Sequence, residues 1–368
     1  MRQKRILLMY IHEFSGHHEA ALALEKAFKA LLPHVECRLI DALRYTHPVL
    51  GRLITRTYLE ILKKRPEVWE YLYDNPKVLA NTRELRRHIH KSDSVKLKSL
   101  LEEFRPDAVV CTQAFPCGII SDTKATTGSR LPLYGVLTDY LPHSYWIMEN
   151  VNQYFVPSLE AKEKLHQDGI YENRISVVGI PMDFSEEPAA SKNKPKGTSL
   201  VLVMGGSQGM GPIEKIVDAL DRSGEDFGIA VATGRNKKLF RKLNARKRKF
   251  KKNVAIYPYG PAIPQLMQHA ALLISKPGGL TIAQSLAYRL PIIFIDPIPG
   301  QEAMNASFLL RHHAAVEARS AEETALLAEE LLRSPAKRQL IQRNMASLAC
   351  PDAARRIAGI VLGGEFAA

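Results

Sequence analysis

A segment rich in glycine and polar side chains, residues 275–305, carries the residue types with the clearest chemical meaning in this sequence. Its first part, Ser-Lys-Pro-Gly-Gly at 275–279, follows an apolar run and precedes a helical pattern that starts near Thr281. Glycines between a strand and a helix let backbone N–H groups approach a phosphate at the positive end of the helix. After a second apolar run come Gln301, Glu302 and Asn305, whose side chains suit sugar hydroxyls. The segment therefore predicts a nucleotide-sugar site, although Pro-Gly-Gly alone equally marks the turn of an ordinary α/β unit.

Three other segments place polar or glycine-rich turns directly after predicted strands. They are residues 13–18, residues 139–146, and Gly-Gly-Ser-Gln-Gly-Met-Gly at 205–211. A single glycine-rich turn is weak evidence of phosphate binding. Because ligands of parallel sheets bind beyond the carboxyl ends of the strands, the four segments together predict one site built from strand-to-loop junctions.

The order and content of these segments resemble the glycosyltransferases that make glycolipids, the processive diacylglycerol glucosyltransferases and the monogalactosyldiacylglycerol synthases. These enzymes are similar in turn to the N-acetylglucosaminyltransferase of peptidoglycan synthesis. The resemblance covers nearly the whole chain and is most specific in Thr-Asp-Tyr at 138–140, followed by His143 and Trp146, in Val-Gly-Ile-Pro at 178–181, in Lys-Pro-Gly-Gly at 276–279 and in Pro-Gly-Gln-Glu at 299–302. It implies an α/β fold of the GT-B class, in which two doubly wound Rossmann-like domains face a central cleft. It also implies an inverting enzyme that needs no bound metal and no cofactor, the UDP-sugar being its substrate.

The resemblance assigns candidate roles to individual residues. The positions that match donor-binding residues are Gly206, Ser207, Gln208, Tyr259, Gly260, Gly278, Gly279, Thr281, Gln284, Gln301 and Glu302. Residues 206–208 and 278–281 would adjoin the diphosphate, 259–260 the uracil edge, and 301–302 the sugar hydroxyls. The matching catalytic residues are His17, the candidate general base, with Asp139 and His143. Candidate acceptor or membrane contacts are Trp69, Tyr140 and Trp146, the last of which suits a core position better.

The expected chemistry asks for such groups independently of the resemblance. An acceptor hydroxyl must lose its proton as it attacks the anomeric carbon, and a histidine with a pKa near neutrality suits that task. Positioned acid–base catalysis contributes about 10²–10⁴-fold. The departing UDP is anionic, and helix N-termini with backbone N–H groups can stabilise it without Mg²⁺. His17 could instead cap or pack at its helix start, and the adjacent His18 is better explained as structural.

The sequence departs from the pattern of these families at Gln284, where they typically carry a glutamate that accepts the ribose hydroxyls. An amide still accepts through its oxygen but has no charge. Hydrogen bonds to charged groups contribute about 1.5–3 kcal/mol, against roughly 0.5–1.5 for neutral ones. We therefore expect weaker nucleotide binding or a different donor preference.

The elements that must position these residues follow an alternating pattern of strands and helices. Strands are predicted at 4–11, 35–40, 107–111, 133–138, 153–157, 175–178, 199–204, 227–232, 253–257, 271–275 and 291–295, and an amphipathic helix at 17–32. Such alternation predicts parallel sheets covered by helices on both faces. Residues 186–198 are polar, contain prolines and read as a linker. The predicted domains are 1–185 for acceptor and membrane and 199–349 for the nucleotide-sugar, with a C-terminal helix at about 350–368 that could pack back on the first domain.

The charge is unusual for a globular chain of 368 residues, because the net charge is +13. Two segments concentrate it: residues 44–98, with 13 basic and 6 acidic residues, and residues 237–252, with 10 basic residues and no acid. The first reads as an insertion that docks on anionic lipid. The second reads as a solvated helix between two strands or as a helix attracted to lipid. No helix-turn-helix, zinc or aromatic-platform motif supports nucleic-acid binding.

The four cysteines are few and irregularly spaced, which is typical of a reduced cytoplasmic protein and forms no zinc pattern. The apolar run at 6–11 is too short for a signal peptide, and no stretch approaches 18 apolar residues. We expect a cytoplasmic protein, peripheral on the inner face of the cell membrane, of undetermined oligomeric state.

The leading hypothesis is an inverting transfer of a hexose from a UDP-sugar to diacylglycerol or glycosyl-diacylglycerol. A transferase with another lipid-linked acceptor, a UDP-sugar 2-epimerase-like enzyme and a non-catalytic membrane-binding homologue remain alternatives. Binding to vesicles would distinguish the membrane proteins from an epimerase, which needs no lipid. Release of UDP from a UDP-sugar would exclude the non-catalytic homologue.

Overall fold

The computed structural model describes residues 3–47, 96–184 and 199–364. Its strands are β1 Arg5–Tyr10, β2 Glu36–Asp41, β3 Ala108–Cys111, β4 Leu133–Val136, β5 Gln153–Val156, β6 Ile175–Val177, β7 Ser199–Met204, β8 Phe227–Ala232, β9 Val254–Tyr257, β10 Leu272–Ser275, β11 Ile292–Ile295 and β12 Val316–Ala318. Its helices are α1 Gly16–Leu31, α2 Ala42–Thr46, α3 Ala114–Thr127, α4 Leu159–Gln167, α5 Ile213–Asp221, α6 Lys237–Arg246, α7 Ala262–His269, α8 Gly279–Tyr288, α9 Gln301–Arg311, α10 Ala321–Arg333, α11 Pro335–Leu348 and α12 Ala353–Leu362. Residues 96–104 are also helical. All eleven predicted strands are confirmed, and β12 is an additional one.

The chain forms two compact units. Unit 1 contains residues 1–183, 299–301 and 350–368, and unit 2 contains residues 184–298 and 302–349. The predicted linker at 186–198 lies outside the described residues, as do residues 48–95 of the predicted insertion at 44–98, with Trp69.

Unit 1 is built on a six-stranded parallel sheet of order β2-β1-β3-β4-β5-β6. Side chains of β1 alternate between two cores. Ile6 and Leu8 pack with α1 and α12, whereas Leu7 and Met9 pack with residues of α3 on the other face. Because both faces are covered by helices, the strands read as continuous apolar runs, as expected for a parallel sheet.

The C-terminal helix α12 belongs to unit 1, although it follows all of unit 2 in the sequence. Its residues Ile357 and Ala358 are fully buried and join the core formed by α1 and β1. Gly179, with a φ of +93°, lets the segment that leads into α12 approach the backbone of unit 1 closely. A Cβ on Gly179 would lie 2.3 Å from Cys350 Cβ, so no larger residue fits there.

Unit 2 is a second six-stranded parallel sheet, of order β12-β11-β10-β7-β8-β9. The predicted fold class, two doubly wound α/β domains, is therefore confirmed. In each sheet the strand order reverses once, between β1 and β3 in unit 1 and between β7 and β10 in unit 2. Ligands of doubly wound sheets bind at this switch point, beyond the carboxyl ends of the strands. The loops after β1, β7 and β10 are among those that the sequence singles out, and the fourth such loop follows β4, next to β3 in the sheet.

No helix within 3–47, 96–184 or 199–364 combines the length and the apolar character needed to span a bilayer.

Candidate functional site

The switch point of unit 1 holds His17 near the start of α1. The loop before it turns through His12 and Phe14, both with positive φ, and ends at Ser15, whose side chain accepts from His18 N and caps the helix. The φ of Ser15 is −96°, a value that any residue can adopt, so the backbone of this turn is unstrained at Ser15. His18 accepts from Phe14 N through Nδ1 and therefore stabilises the loop, in agreement with the structural role expected for it.

The side chain of His17 is held by the residues that follow the two next strands of the sheet. Its Nδ1 lies 2.9 Å from the carbonyl oxygen of Thr112, directly after β3, and 2.8 Å from Oγ1 of Thr138, two residues after β4. A carbonyl oxygen only accepts, so Nδ1 carries the proton and donates it to Thr112. In the neutral ring the lone pair then lies on Nε2. This tautomer gives His17 a basic nitrogen on the far side of the ring.

The surroundings of His17 also set its charge. Burial lowers the pKa of the imidazole below its ordinary value, because the charged form loses hydration. The negative charge of Asp139 and the hydrogen bond with Thr112 act in the opposite direction and raise it. The net effect is a lowered pKa, so His17 is neutral near pH 7 and able to accept a proton.

Thr112 contributes to the site twice. Its backbone carbonyl binds His17 Nδ1, and its buried hydroxyl donates to the carbonyl of His17, 2.8 Å away. The backbone carbonyl and the side-chain hydroxyl of Thr112 thereby both fix the start of α1 to the end of β3.

The other residues predicted at the acceptor side lie in the loop after β4. Asp139 is buried beside Thr138. His143 is half-buried, with its ring 5.4 Å from that of Tyr145 and 6.3 Å from that of Trp146. Tyr140 and Trp146, predicted as acceptor or membrane contacts, each expose only 3% of their surface. Trp146 packs in the core of unit 1, the position that its sequence context favoured.

The switch point of unit 2 begins with the glycine loop after β7. Gly206, Gly209 and Gly211 all have positive φ, and the loop closes through hydrogen bonds from Met210 N to Gly205 O and from Gly209 N to Gly206 O. A Cβ on Gly209 would lie 2.0 Å from the carbonyl oxygen of Thr233, after β8. Gly209 is therefore required for the loop to pack on its neighbour. Ser207 and Gln208 lie within this loop, as predicted.

The second phosphate-binding candidate is the start of α8. The helix begins at Gly279, two residues earlier than expected, and Gly278 at its N-cap supplies no capping side chain. The backbone N–H groups of the first turn can therefore serve an anion. Asn305 is fully buried and donates to the carbonyl of Pro277, which fixes the loop in front of the helix. Asn305 thus acts through the loop, whereas its type suggested contact with a sugar.

A lysine completes this edge of unit 2. Lys276 is 7% exposed, and its Nζ lies 3.4 Å from Oε2 of Glu302, which also accepts from Ile298 N at 2.8 Å. A Cβ on Gly211 would lie 3.8 Å from Lys276 Cδ, so the lysine stem runs beside the glycine loop. The carboxylate of Glu302, predicted to hold sugar hydroxyls, is here engaged by protein groups. Gln301 is the first residue of α9 and belongs to unit 1.

The remaining donor-site predictions fall on the same edge of unit 2. Tyr259 follows β9, and its N–H donates to the carbonyl of Gly234, so that donor is already used. Around Gly260 a Cβ would meet no atom within 4 Å. Thr281 and Gln284 are half-buried and three residues apart on α8, hence on one side of the helix.

Three residues of these arrangements escaped sequence reasoning. Thr112 is a single threonine after a strand, and Thr138 stands in the recognised Thr-Asp-Tyr motif without a role of its own; only the strand order brings both to His17. Lys276 stands inside the recognised motif at 276–279. Its role became visible only in the structure, where the side chain is buried and pairs with Glu302. Among the described residues, no three His, Cys, Asp or Glu side chains gather as a metal site.

Comparison with known proteins covers both units. The model of the monogalactosyldiacylglycerol synthase family matches residues 17–182, and that of the glycosyltransferase family 28 C-terminal domain matches residues 200–357. A processive diacylglycerol beta-glucosyltransferase of Bacillus cereus (strain ATCC 10987 / NRS 248) is 27% identical over 372 residues, which cover 98% of this chain and 94% of that protein.

Solved structures show the same fold. MurG of Acinetobacter baumannii superposes with a TM-score of 0.63 at 14% identity, covering 98% of this chain and 99% of MurG. A UDP-N-acetylglucosamine 2-epimerase gives a TM-score of 0.60, also at 14% identity, covering 98% and 96% of the two chains. The fold is thus GT-B, and it is shared by enzymes that perform different reactions.

Proposed function

The chain belongs to the glycosyltransferases that join a monogalactosyldiacylglycerol synthase domain to a family 28 C-terminal domain, and we propose that it transfers a hexose from a UDP-sugar to diacylglycerol or a glycosyl-diacylglycerol. The observation that carries this proposal is the 2.9 Å contact between His17 Nδ1 and the carbonyl oxygen of Thr112. His17 Nδ1 donates to that carbonyl, which leaves Nε2 as a base at the switch point of unit 1. The name of the Bacillus cereus relative supports the lipid acceptor.

In the proposed reaction, an acceptor hydroxyl attacks the anomeric carbon of the donor sugar. His17 Nε2 takes the hydroxyl proton as the new glycosidic bond forms. The bond from the anomeric carbon to the phosphate oxygen breaks, and UDP leaves with its electron pair. Attack from the side opposite the leaving group inverts the configuration.

The negative charge that develops on the leaving UDP must be stabilised by positive groups of the protein. We propose that the first turn of α8, the loop at 205–211 and Lys276 supply these groups, because N–H groups at helix starts stabilise developing phosphate charge. Lys276 is already charge-paired with Glu302 at 3.4 Å. A bound diphosphate would share that lysine, and the reaction would proceed without a divalent metal.

The experiment that tests the proposal measures UDP release by the purified protein from UDP-glucose and UDP-galactose. The protein is presented with anionic vesicles that contain or lack diacylglycerol. Release that requires diacylglycerol and is lost in His17→Ala supports the proposal. Release without any lipid acceptor indicates hydrolysis or an epimerase-like reaction. Vesicle binding with no release indicates another donor or a non-catalytic homologue.

The proposal places the protein on the cytoplasmic face of the membrane, where UDP-sugars and diacylglycerol meet. Addition of EDTA to the same assay tests metal independence. We expect the rate to be unchanged, and a rate restored only by Mg²⁺ or Mn²⁺ would contradict the role given to Lys276 and α8.

A further inference from the structure

The solvent side of α6 and the turn after it carries more positive charge than the fold of unit 2 requires. Ten of the sixteen residues at 237–252 are basic and none is acidic. Eight of these basic side chains are exposed: Lys237, Lys238, Arg241, Lys242, Lys247, Arg248, Lys249 and Lys251. These eight residues are here called the α6 basic face.

The apolar residues of this segment are used inside unit 2. Leu239 is 7% exposed and Leu243 is fully buried. Phe240 and Phe250 are half-buried, and the guanidinium of Arg246 lies 5.5 Å from the centre of the Phe250 ring. The two leucines are therefore not available to enter lipid, and the fully exposed side chains of this segment offer mainly charge.

Part of the charge is structural. Arg246 pairs with Asp218 at 2.6 Å, and Lys242 pairs with Glu214. Lys252 is half-buried, and its Nζ donates to the carbonyl of Glu225. These contacts fix α6 and the following turn to the rest of unit 2. Within the described residues, the other seven members of the α6 basic face have no ion-pair partner.

The position of these charges opposes helix stability. Lys237 and Lys238 occupy the first turn of α6, where no acidic residue is present, and positive charge there is unfavourable to the helix dipole. Lys237 and Arg241 stand four residues apart, so they repel each other along the helix. Departures from local rules without a folding benefit are typical of functional surfaces.

We propose that the α6 basic face docks unit 2 on an anionic lipid bilayer through charge alone. The two aromatic residues of the segment, Phe240 and Phe250, are half-buried, so no fully exposed ring offers the stacking platform typical of single-stranded nucleic acid sites. Clusters of 4–8 basic residues are typical of surfaces that bind anionic lipid. The choice of lipid over other polyanions rests in part on the proposed lipid acceptor. The inference goes further, because it assigns membrane contact to the nucleotide-binding unit.

The test uses the full chain with four charges removed: Lys238→Gln, Arg241→Gln, Lys247→Gln and Lys249→Gln together. The matched control removes four exposed charges elsewhere in unit 2: Arg222→Gln, Arg311→Gln, Arg319→Gln and Arg343→Gln. Both variants have the same net charge. Co-sedimentation is measured with vesicles of phosphatidylcholine alone and with a third of phosphatidylglycerol, at low and high salt. Transfer to detergent-dissolved diacylglycerol is measured in parallel.

We expect the α6 variant to lose at least about ten-fold in partition to phosphatidylglycerol vesicles, since clustered basic residues are attracted to the negative surface of such vesicles. The control variant should lose much less. At high salt the unaltered chain should also bind weakly, so the difference between it and the α6 variant should disappear. Equal loss in both variants would overturn the inference, because net charge alone would explain it. Selective loss of binding to an oligonucleotide, with vesicle binding intact, would also overturn it.

The parallel assay separates this inference from the proposed function. If the α6 variant loses vesicle binding and neither protein transfers sugar in detergent, the surface is real and the proposed reaction is wrong. If transfer in detergent is normal and vesicle binding is unchanged, the proposed reaction stands and the α6 basic face has no membrane role.

Discussion

At the residue scale, the central feature is a histidine whose protonation is controlled by its neighbours. Burial lowers the pKa of His17, and Asp139 raises it by its negative charge. A lowered pKa means that the neutral base persists to lower pH than for a free histidine. Activity that depends on this base should therefore fall only as the pH drops below the ordinary histidine range.

The charge of Asp139 gives a first prediction. Asp139→Asn removes a contribution that raises the pKa of His17, so the acid limb of kcat/KM should move to lower pH. The pH dependence of kcat/KM reports the groups of the free enzyme and is the quantity to measure. Asp183→Asn is the matched control, because Asp183 pairs with Lys26 at the surface of the same unit. A limb that moves to higher pH would contradict the assignment.

The hydroxyl of Thr138 gives a second prediction. Thr138→Val keeps the shape but removes the oxygen that lies 2.8 Å from His17 Nδ1. A neutral hydrogen bond contributes about 0.5–1.5 kcal/mol. Since about 1.4 kcal/mol is ten-fold in rate, kcat should fall by roughly 3- to 10-fold with KM little changed.

Thr138→Ser is the control for that substitution, because it restores the hydroxyl. Recovery of kcat in Thr138→Ser would assign the effect to the hydrogen bond. An equal loss in Thr138→Ser would show that the methyl group, and hence packing, is what matters.

Gln284 gives a third prediction, which concerns the donor. Gln284→Glu should tighten UDP about five- to ten-fold, because a carboxylate accepts hydroxyl hydrogen bonds more strongly than an amide by about 1 kcal/mol. Isothermal titration with UDP measures this directly. Gln339→Glu, on an exposed position of α11, adds the same charge and should leave the affinity unchanged. If UDP affinity does not respond to position 284, Gln284 does not contact the ribose.

At the element scale, the loop after β7 depends on a glycine, Gly209, that no larger residue can replace without strain. Gly209→Ala would force a Cβ to within 2.0 Å of Thr233 O at a φ of +58°. Strain of this kind costs of order 1–3 kcal/mol. We expect a lower melting temperature together with weaker UDP binding. Gly224→Ala is the control, because its Cβ would meet nothing within 4 Å. Unchanged stability in Gly209→Ala would show that the loop has another conformation.

The elements themselves could mostly be predicted from the sequence. Buried parallel strands are uninterrupted apolar runs, so β1 and β7 stand out without any alignment. β12 was missed because it has three residues and the middle one, Glu317, is exposed. The motif loops could be located in the same way, because each loop directly follows an apolar run that was predicted as a strand.

The contacts inside the site could not be predicted in the same way. Thr112 and Thr138 meet His17 only because β3 lies between β1 and β4, and strand order is a property of the sheet. Lys276 was visible in its motif, but its partner Glu302 stands 26 positions away after another strand. The burial of Tyr140 was likewise hidden, since an aromatic residue in a loop looks the same whether it faces solvent or the core.

At the scale of the whole molecule, the two units differ in how the chain completes them. Unit 1 needs α12 from the far end of the chain, because Ile357, Ala358 and Leu362 complete the core of α1 and β1. Unit 2 is almost continuous, from residue 184 to residue 349, and contains both phosphate-binding candidates. The units should therefore respond differently when the chain is divided.

We expect a fragment of residues 184–349 to fold cooperatively and to bind UDP with an affinity comparable to that of the whole chain. Its sheet and both loops, at 205–211 and 276–279, are complete within it. A fragment of residues 1–183 should fail to fold, because the apolar face that α12 covers would remain in water. Adding residues 350–368 through a flexible linker should restore it. Thermal unfolding and UDP titration of the three fragments measure these outcomes. UDP binding that is lost in a folded 184–349 fragment would mean that residues of unit 1 hold the nucleotide, and the donor site would then have to be reassigned.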